Sequence, residues 1–158
     1  MGLKIGEVAP EFNLFNTLKK EVSLSEYKGK NVVLLFYPFA FSGTCTKELC
    51  YVNGNYEIYN ALNAVVFGIS TDSVFTQIRY KQEQNLNFEL LSDFNKEVSA
   101  KYNSLYEEFI YGTKGVTKRS AFIIDKDGII KYIEILEDAG KQPSYDRIQQ
   151  CLNGLMNY

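Results

Sequence analysis

The sequence contains no histidine and no tryptophan, and only three cysteines, among its 158 residues. Without histidine there is no Ser-His or Cys-His catalytic pair, no H-E-x-x-H metalloprotease motif and no imidazole-ligated metal. Three cysteines are too few for a zinc site of four thiolates, and mixed Cys/His zinc sites are excluded as well. We therefore expect no metal and no cofactor, and any nucleophile must be activated without an imidazole base.

Excess positive charge and long apolar segments are also missing. The formal net charge is −2, so no basic field attracts a phosphate backbone, and we expect no nucleic-acid partner. The longest apolar run, residues 32–41, is too short to cross a bilayer and contains Pro38. Residues 1–12 lack the uninterrupted apolar stretch of a signal peptide. We expect a cytoplasmic protein away from membranes, where cysteines stay reduced unless they do redox work.

The pattern of apolar runs predicts a single α/β domain covering residues 1–158. The sequence has no internal repeat, low-complexity tract or linker. Continuous apolar runs at residues 31–37 and 64–70, rich in β-branched and aromatic side chains, predict strands buried on both faces. Such strands belong to a central sheet covered by helices. We expect a mixed, mostly parallel sheet with helices on both faces, in the order β-β-α-β-α-β-α-β-β-α.

The first predicted helix begins near residues 43–44. Apolar side chains follow at the spacing of one helical face, namely Cys45, Leu49, Val52, Tyr56 and Tyr59. Residues 53–55 (Asn-Gly-Asn) interrupt this helix, because glycine costs about 1 kcal/mol relative to alanine in a helix. We therefore expect the helix to melt easily at this point.

Two further helices and a hairpin are predicted downstream. A helix should run from about residue 72 to 84, with three apolar residues facing inward: Val74, Phe75 and Ile78. Apolar runs at residues 120–125 and 129–133, joined through Asp-Gly, predict a β-hairpin. A last helix opens at Pro143, and its apolar face should carry Ile148, Cys151, Leu152 and Leu155.

Cys45 is the residue at which chemistry is expected. It follows a buried strand and lies in the first turn of a predicted helix, where unpaired N–H groups and the helix dipole favour a thiolate. Cysteines in such positions commonly have pKa values of about 3.5–7.5 instead of about 8.5. The alternative is that Cys45 is only a small buried hydrophobe on an apolar helical face.

Four short motifs resemble those of the peroxiredoxins, in the order found in that family. The first two are Gly6-x-x-Ala-Pro-x-Phe12 and Pro38-x-x-x-Ser42-x-x-Cys45; the others are Leu91-Ser-Asp93 and Arg119-Ser-x-Phe-Ile-Ile-Asp125. The resemblance covers nearly the whole sequence. It implies a thioredoxin-like fold and an enzyme that reduces hydroperoxides with electrons from a thiol reductant, thioredoxin-like or another. A monomer or a homodimer is expected.

The resemblance also implies a role for each site residue. Cys45 would attack the peroxide as a thiolate and become a sulfenic acid. Arg119 would stabilise the thiolate and the developing negative charge. The Ser42 hydroxyl would hold the peroxide, unless it only caps the helix. Pro38 would shield the sulfur from water, and Glu48 would lie at the edge of the site, unless it is merely a favourable partner of the helix dipole.

Cys50 has the spacing of the resolving cysteine in the bacterioferritin comigratory protein branch of that family, also called PrxQ. In an intact helix, however, five residues separate the Cα atoms of Cys45 and Cys50 by about 8–9 Å, whereas a disulfide needs about 4.4–6.8 Å. The helix would therefore have to unwind in each catalytic cycle. The segment around Cys45 also resembles the alkyl hydroperoxide reductase E-like branch, in which an external thiol replaces the second cysteine. Cys151 is expected to serve packing.

A competing function on the same fold is thiol-disulfide exchange with proteins. That activity calls for C-x-x-C after the first buried strand, whereas residues 45–50 read C-x-x-x-x-C. A copper-handling module is disfavoured because its usual histidine ligand is missing, and a non-catalytic interaction domain would leave Cys45 unreactive. Phe39 and Phe41 could form an apolar rim suited to organic hydroperoxides or could pack in the core.

Overall fold

The computed structural model describes residues 2–156. In chain order its strands are β1 (Asn13–Asn16), β2 (Glu21–Ser23), β3 (Asn31–Phe36), β4 (Ala64–Ser70), β5 (Glu89–Ser92), β6 (Leu105–Tyr106), β7 (Val116–Thr117), β8 (Ser120–Ile124) and β9 (Ile130–Ile135). Its helices are α1 (Gly43–Gly54), α2 (Tyr56–Ala61), α3 (Val74–Gln84), α4 (Glu97–Lys101) and α5 (Tyr145–Leu155). Short 3-10 turns occupy Leu24–Tyr27 and Ile110–Gly112.

Seven strands form the central sheet in the order β2-β1-β5-β4-β3-β8-β9, and β6 pairs with β7 separately. The sheet is mixed, as predicted, but the expectation that it is mostly parallel is wrong. Within this sheet, as described over residues 2–156, parallel pairing joins β3 to β4 and β4 to β5, while the other four pairs are antiparallel. The physical reason is that hairpins rather than helical crossovers build both edges. One more strand than predicted also precedes the first helix.

Helices cover both faces of the sheet, as predicted. One core includes side chains from β3, β4 and β8 together with Leu49 of α1, Tyr80 of α3 and Ile148 of α5. The opposite core combines the other side of these strands with the N-terminal segment and Val98 of α4. Because β3 lies between β4 and β8 and has both faces buried, the loop that follows it starts from a rigid position.

The interruption predicted near Gly54 is confirmed, since α1 ends at Gly54 and α2 restarts at Tyr56. The inward face predicted for the next helix is wrong. Phe75 is 75% exposed, and the buried side chains of α3 are Gln77 and Tyr80. The apolar pattern misled because a polar side chain, Gln77, is buried at this position, where its NH2 group donates to Ser70 Oγ at 3.1 Å and to a β5 carbonyl at 2.9 Å.

The predicted β-hairpin and last helix are confirmed. The turn between β8 and β9 is closed by the Asp125 carboxylate, which accepts hydrogen bonds from the N–H groups of Asp127 and Ile129. Gly128 has a φ of +84°, a conformation that favours glycine. The helix α5 begins two residues after Pro143, with Ser144 as its N-cap. Over residues 2–156, no helix has the length and apolar character needed to cross a membrane.

Candidate active site

Cys45 lies in the first turn of α1, directly beyond the loop that follows β3, as predicted. The first hydrogen bond of the helix runs from the Thr46 N–H to the Ser42 carbonyl, at 3.0 Å. The Cys45 side chain is fully buried. Its sulfur is therefore placed at the positive end of a helix and away from bulk water, where the helix dipole acts with little screening.

Arg119 is the direct partner of the Cys45 sulfur. It stands between β7 and β8 and is 1% exposed. Its Nη2 donates to Cys45 Sγ at 3.1 Å, its Nη1 donates to Glu48 Oε1 at 2.7 Å, and its Nε donates to the Ala139 carbonyl at 2.9 Å. Burial acts to lower the pKa of Arg119, but the charges of Glu48 and Cys45 outweigh it and raise that pKa. A permanent cation is thus fixed against the sulfur.

Glu48 is buried one turn along α1, beside Arg119. Burial raises the pKa of its carboxyl to about 7, because the attraction of Arg119 offsets only part of the desolvation. Oε1 is paired with Arg119, whereas Oε2 has no hydrogen-bond partner among residues 2–156. Near neutral pH the carboxyl is therefore present in both its neutral and its charged form. When it is charged it neutralises part of the Arg119 charge, and when it is neutral more of that charge acts on Cys45.

Ser42 and Pro38 line a pocket of about 390 Å³ together with Arg119. The Ser42 hydroxyl donates to the Phe39 carbonyl at 3.0 Å and makes no capping bond to α1, although Ser42 is the N-cap residue by backbone position. The alternative that the Ser42 side chain only caps the helix is therefore wrong. Arg119 connects the pocket to the buried sulfur, because it lines the first and contacts the second.

Several residues of the pocket were not predicted from the sequence. Phe109 and Ile110 form one wall, and the segment 137–140 before α5 forms another. Of the two phenylalanines proposed as a rim, Phe39 lines the pocket. Phe41 is instead 48% exposed and packs its ring against that of Tyr80 at 4.9 Å between centroids. The only sequence cue for these walls is the Asp138-Ala-Gly140 turn ahead of the last helix.

Asp72 was also missed, although it braces the loop between Pro38 and Ser42. Its Oδ2 accepts hydrogen bonds from the Ala40 N–H at 2.8 Å and from Ser70 Oγ at 2.7 Å. Burial raises the pKa of this carboxyl. The loop that precedes Cys45 is therefore held by the end of β4 as well as by its own strand.

The structure does not bring Cys50 to Cys45. Both lie on the unbroken helix α1 as free thiols, and Cys50 Sγ donates to Gln84 Oε1 of α3 at 3.4 Å. Cys151 is half-buried on α5 and packs against the core, in line with the packing role predicted for it. Burial raises the pKa of the Cys151 thiol, which makes it less reactive.

Comparison with known proteins identifies the family. A family model described as the AhpC/TSA family matches residues 5–133. The chain belongs to the AhpC/TSA family of peroxiredoxins. Peroxiredoxin Bcp of Bacillus subtilis is 36% identical to this peroxiredoxin over 157 residues, covering 98% of this chain and 96% of the relative. Peroxiredoxin-2 of Bos taurus is 35% identical over 141 residues, covering 83% of this chain and 68% of the relative.

Solved structures agree with this membership. Peroxidoxin BcpB from Mycobacterium tuberculosis superposes with a TM-score of 0.86 at 27% identity, covering 97% of this chain and 98% of its own. A peroxiredoxin-like protein from Aquifex aeolicus gives a TM-score of 0.87 at 27% identity, covering 98% of this chain and 89% of its own. The thioredoxin-like fold and the activity predicted from the sequence are thereby confirmed. This peroxiredoxin is a thiol-dependent peroxidase that acts on a peroxide and takes electrons from a thiol reductant.

Proposed function

We propose that Cys45 is the peroxidatic residue of this enzyme. Its thiolate attacks the terminal oxygen of the peroxide, the O–O bond breaks, and water or an alcohol leaves after the departing oxygen gains a proton. Cys45 is left as a sulfenic acid. The observation that carries the assignment is the 3.1 Å contact from Arg119 Nη2 to the buried Cys45 sulfur. A fixed cation at this position stabilises the thiolate and the charge that develops on the leaving oxygen.

The other site residues divide the remaining tasks. Ser42 holds the peroxide in line with the sulfur by turning its hydroxyl from the Phe39 carbonyl towards the substrate, a rotation about one bond. Pro38 fixes the turn after β3 and forms part of the wall that keeps water from the sulfur. Glu48 holds the Arg119 guanidinium through Nη1, so that Nη2 stays directed at Cys45.

We propose further that Cys50 resolves the sulfenic acid by forming an internal disulfide with Cys45, after local unwinding of α1. The break at Gly54 and the restart of helix at Tyr56 support this step, because the helix is short and ends at a residue of low helix propensity. A second candidate is resolution by an external thiol. It is favoured by the unbroken α1, on which Cys50 faces α3 rather than Cys45.

The proposal also covers the substrate, the reductant, the oligomeric state and the cellular location. Phe39, Phe109 and Ile110 give the pocket an apolar wall, which suits organic hydroperoxides as well as hydrogen peroxide. The physiological reductant is proposed to be a thioredoxin-type protein. The enzyme is proposed to act as a single domain, as monomer or homodimer, in the cytoplasm and without a membrane or nucleic-acid partner.

A steady-state assay tests the substrate and the reductant together. Consumption of hydrogen peroxide and of a bulky organic hydroperoxide is measured side by side, with thioredoxin supplied or withheld. Turnover of both peroxides only when thioredoxin is present supports the proposal. Turnover with a small external thiol but none with thioredoxin would contradict the proposed reductant.

Disulfide mapping separates the two routes of resolution. The reduced protein is treated with one equivalent of hydrogen peroxide and digested, and linked peptides are identified by mass spectrometry. A Cys45–Cys50 link, together with a loss of thioredoxin-dependent turnover in Cys50→Ser, is expected. The absence of this link, with turnover unchanged in Cys50→Ser, would sink the internal disulfide and leave the external thiol.

A further inference from the structure

A seam of polar side chains joins α1 to α3. On α1, Thr46, Cys50 and Asn53 are spaced by four and three residues and therefore share one face, which differs from the face that carries Cys45. On α3, Tyr80 and Gln84 are spaced by four and share the opposing face. The name α1–α3 seam denotes these residues: Thr46, Cys50, Asn53, Tyr80 and Gln84.

Hydrogen bonds close the seam along its whole length. They join Thr46 Oγ1 to the Tyr80 hydroxyl (2.9 Å), Cys50 Sγ to Gln84 Oε1 (3.4 Å), and Asn53 to the Asn85 carbonyl (3.0 Å) and the Asn87 N–H (2.6 Å) just beyond α3. The Cys50 thiol is the donor in its bond. The proton of Cys50 is thus directed at Gln84, and this hydrogen bond holds the thiol against α3.

The resolving step cannot occur while this seam is closed. In that step the Cys50 sulfur bonds to the Cys45 sulfur, the S–O bond of the sulfenic acid breaks, and the hydroxyl leaves as water with the proton of Cys50. Cys45 and Cys50 are together converted from a sulfenic acid and a thiol to a disulfide. For the two sulfurs to meet, α1 must unwind, and the bond from Cys50 to Gln84 must break first.

We infer that Gln84 is a positioning residue for the resolving thiol: its side-chain oxygen holds Cys50 against α3 and so sets the rate at which oxidised Cys45 forms the disulfide. The inference rests on the proposed role of Cys50. It has a consequence at high peroxide, because a second peroxide molecule competes for the same sulfenic acid and converts it to sulfinic acid with release of water. A tighter bond at Gln84 lengthens the life of the sulfenic acid and raises the yield of sulfinic acid.

Two variants of Gln84 and one control variant on the same helix test this role. Gln84→Leu removes the acceptor while keeping a side chain of similar size, and Gln84→Glu keeps an acceptor but adds a negative charge beside the thiol. Gln82→Leu is the control, since Gln82 is an exposed glutamine on the same helix. Rapid acid quenching and mass spectrometry after one equivalent of hydrogen peroxide follow sulfenic acid and disulfide separately, and sulfinic acid is measured at excess peroxide.

Gln84→Leu is expected to form the disulfide about two- to tenfold faster than the wild type, as the loss of one hydrogen bond implies, with an unchanged rate of sulfenic acid formation and less sulfinic acid. Gln84→Glu is expected to form it more slowly at pH 7 and to shift the pH dependence of this step upward, because the carboxylate disfavours a neighbouring thiolate. Gln82→Leu should match the wild type.

The outcomes separate this inference from the proposed function. A Cys45–Cys50 disulfide that forms at the same rate in all four proteins would overturn the role of Gln84 and leave Cys50 as the resolving cysteine. If no such disulfide forms even in the wild type, the resolving role of Cys50 and the inference both fail. Unchanged pH dependence in Gln84→Glu, with faster disulfide formation in Gln84→Leu, would show only a looser helix and would also overturn it.

Discussion

Three partners share the Arg119 guanidinium: the Cys45 sulfur, the Glu48 carboxylate and the Ala139 carbonyl. Since the sequence has no histidine, the proposed mechanism assigns to this cation and the start of α1 the activation of Cys45 that a general base provides in other cysteine enzymes. The planar fork of arginine suits the task, because it donates to several acceptors in fixed directions and keeps its charge. Lysine has the charge without the fork.

Replacement of Arg119 tests whether its guanidinium activates Cys45. Arg119→Met should lower the second-order rate constant for peroxide about 10²- to 10³-fold, the usual loss when one preorganised donor is removed from a transition state. Arg119→Lys should fall between this variant and the wild type. The rate is measured by thiol loss in single-turnover reactions, and thermal melts establish that each variant is folded. A folded Arg119→Met within about threefold of the wild-type rate would contradict the role.

Glu48 predicts a pH-dependent stability. Its pKa is raised from 4.5 to about 7 by burial, so the folded protein holds this proton more tightly than the unfolded chain. The free energy of unfolding should therefore fall as pH rises from about 4.5 to about 7, by about 1–3 kcal/mol. Glu48→Gln, which is neutral throughout, should flatten this decline in urea titrations at several pH values. Glu57→Gln on the exposed face of α2 is the control and should retain it.

At the scale of elements, α1 carries two opposite requirements. Its first turn must be intact to place Cys45 against Arg119, and the same helix must unwind if Cys50 is to reach Cys45. The C-terminal end of α1 is compatible with both requirements. The helix stops at Gly54 and a new helix begins at Tyr56, so unwinding can start at this end while the resting helix keeps its first turn. Behind it, β3 pairs with β4 along the whole length of β3, and both strands are expected to stay unchanged during the cycle.

Gly54→Ala tests the unwinding of α1. A Cβ at Gly54 meets no atom of the described residues within 4 Å, and alanine stabilises a helix by roughly 0.5–1 kcal/mol relative to glycine. Disulfide formation after peroxide treatment should slow about two- to fivefold, because the closed helix is favoured. Gly154→Ala in α5 is matched in helix context and in open space and should leave the rate unchanged. Equal rates in both variants would place Gly54 outside the segment that unwinds.

At the scale of the whole molecule, the sheet and its two cores hold the site in place. Gly68 in β4 is packed so closely that a Cβ would lie 2.7 Å from Leu90 Cδ2 and 3.2 Å from Tyr37 Cε1. Gly68→Ala should therefore lower the free energy of unfolding by about 1–3 kcal/mol. Urea denaturation against Gly154→Ala, where the added methyl group meets no atom of residues 2–156 within 4 Å, measures the difference. A Gly68→Ala protein as stable as the wild type would contradict this description of the core.

The sequence predicted the parts of the molecule that follow from local patterns. The strands at residues 31–36 and 64–70 could be predicted because both faces are apolar, and α1 because its apolar side chains recur at the spacing of one helical face. The prediction of which side chains of α3 face inward was wrong, because the buried Gln77 is polar and does not stand out in an apolar pattern. The walls at residues 109–110 and 137–140 were missed because only tertiary packing brings these loops beside Pro38.

The identity of the nucleophile is tested most directly by trapping its sulfenic acid. Cys50→Ser protein is treated with one equivalent of hydrogen peroxide in the presence of dimedone, and the modified peptide is identified by mass spectrometry beside Cys45→Ser and Cys151→Ser. If Cys45 is the nucleophile, we expect a dimedone adduct on Cys45 alone and no peroxide consumption by Cys45→Ser, with Cys151→Ser as active as the wild type. An adduct on Cys151, or full-rate peroxide reduction by Cys45→Ser, would contradict it.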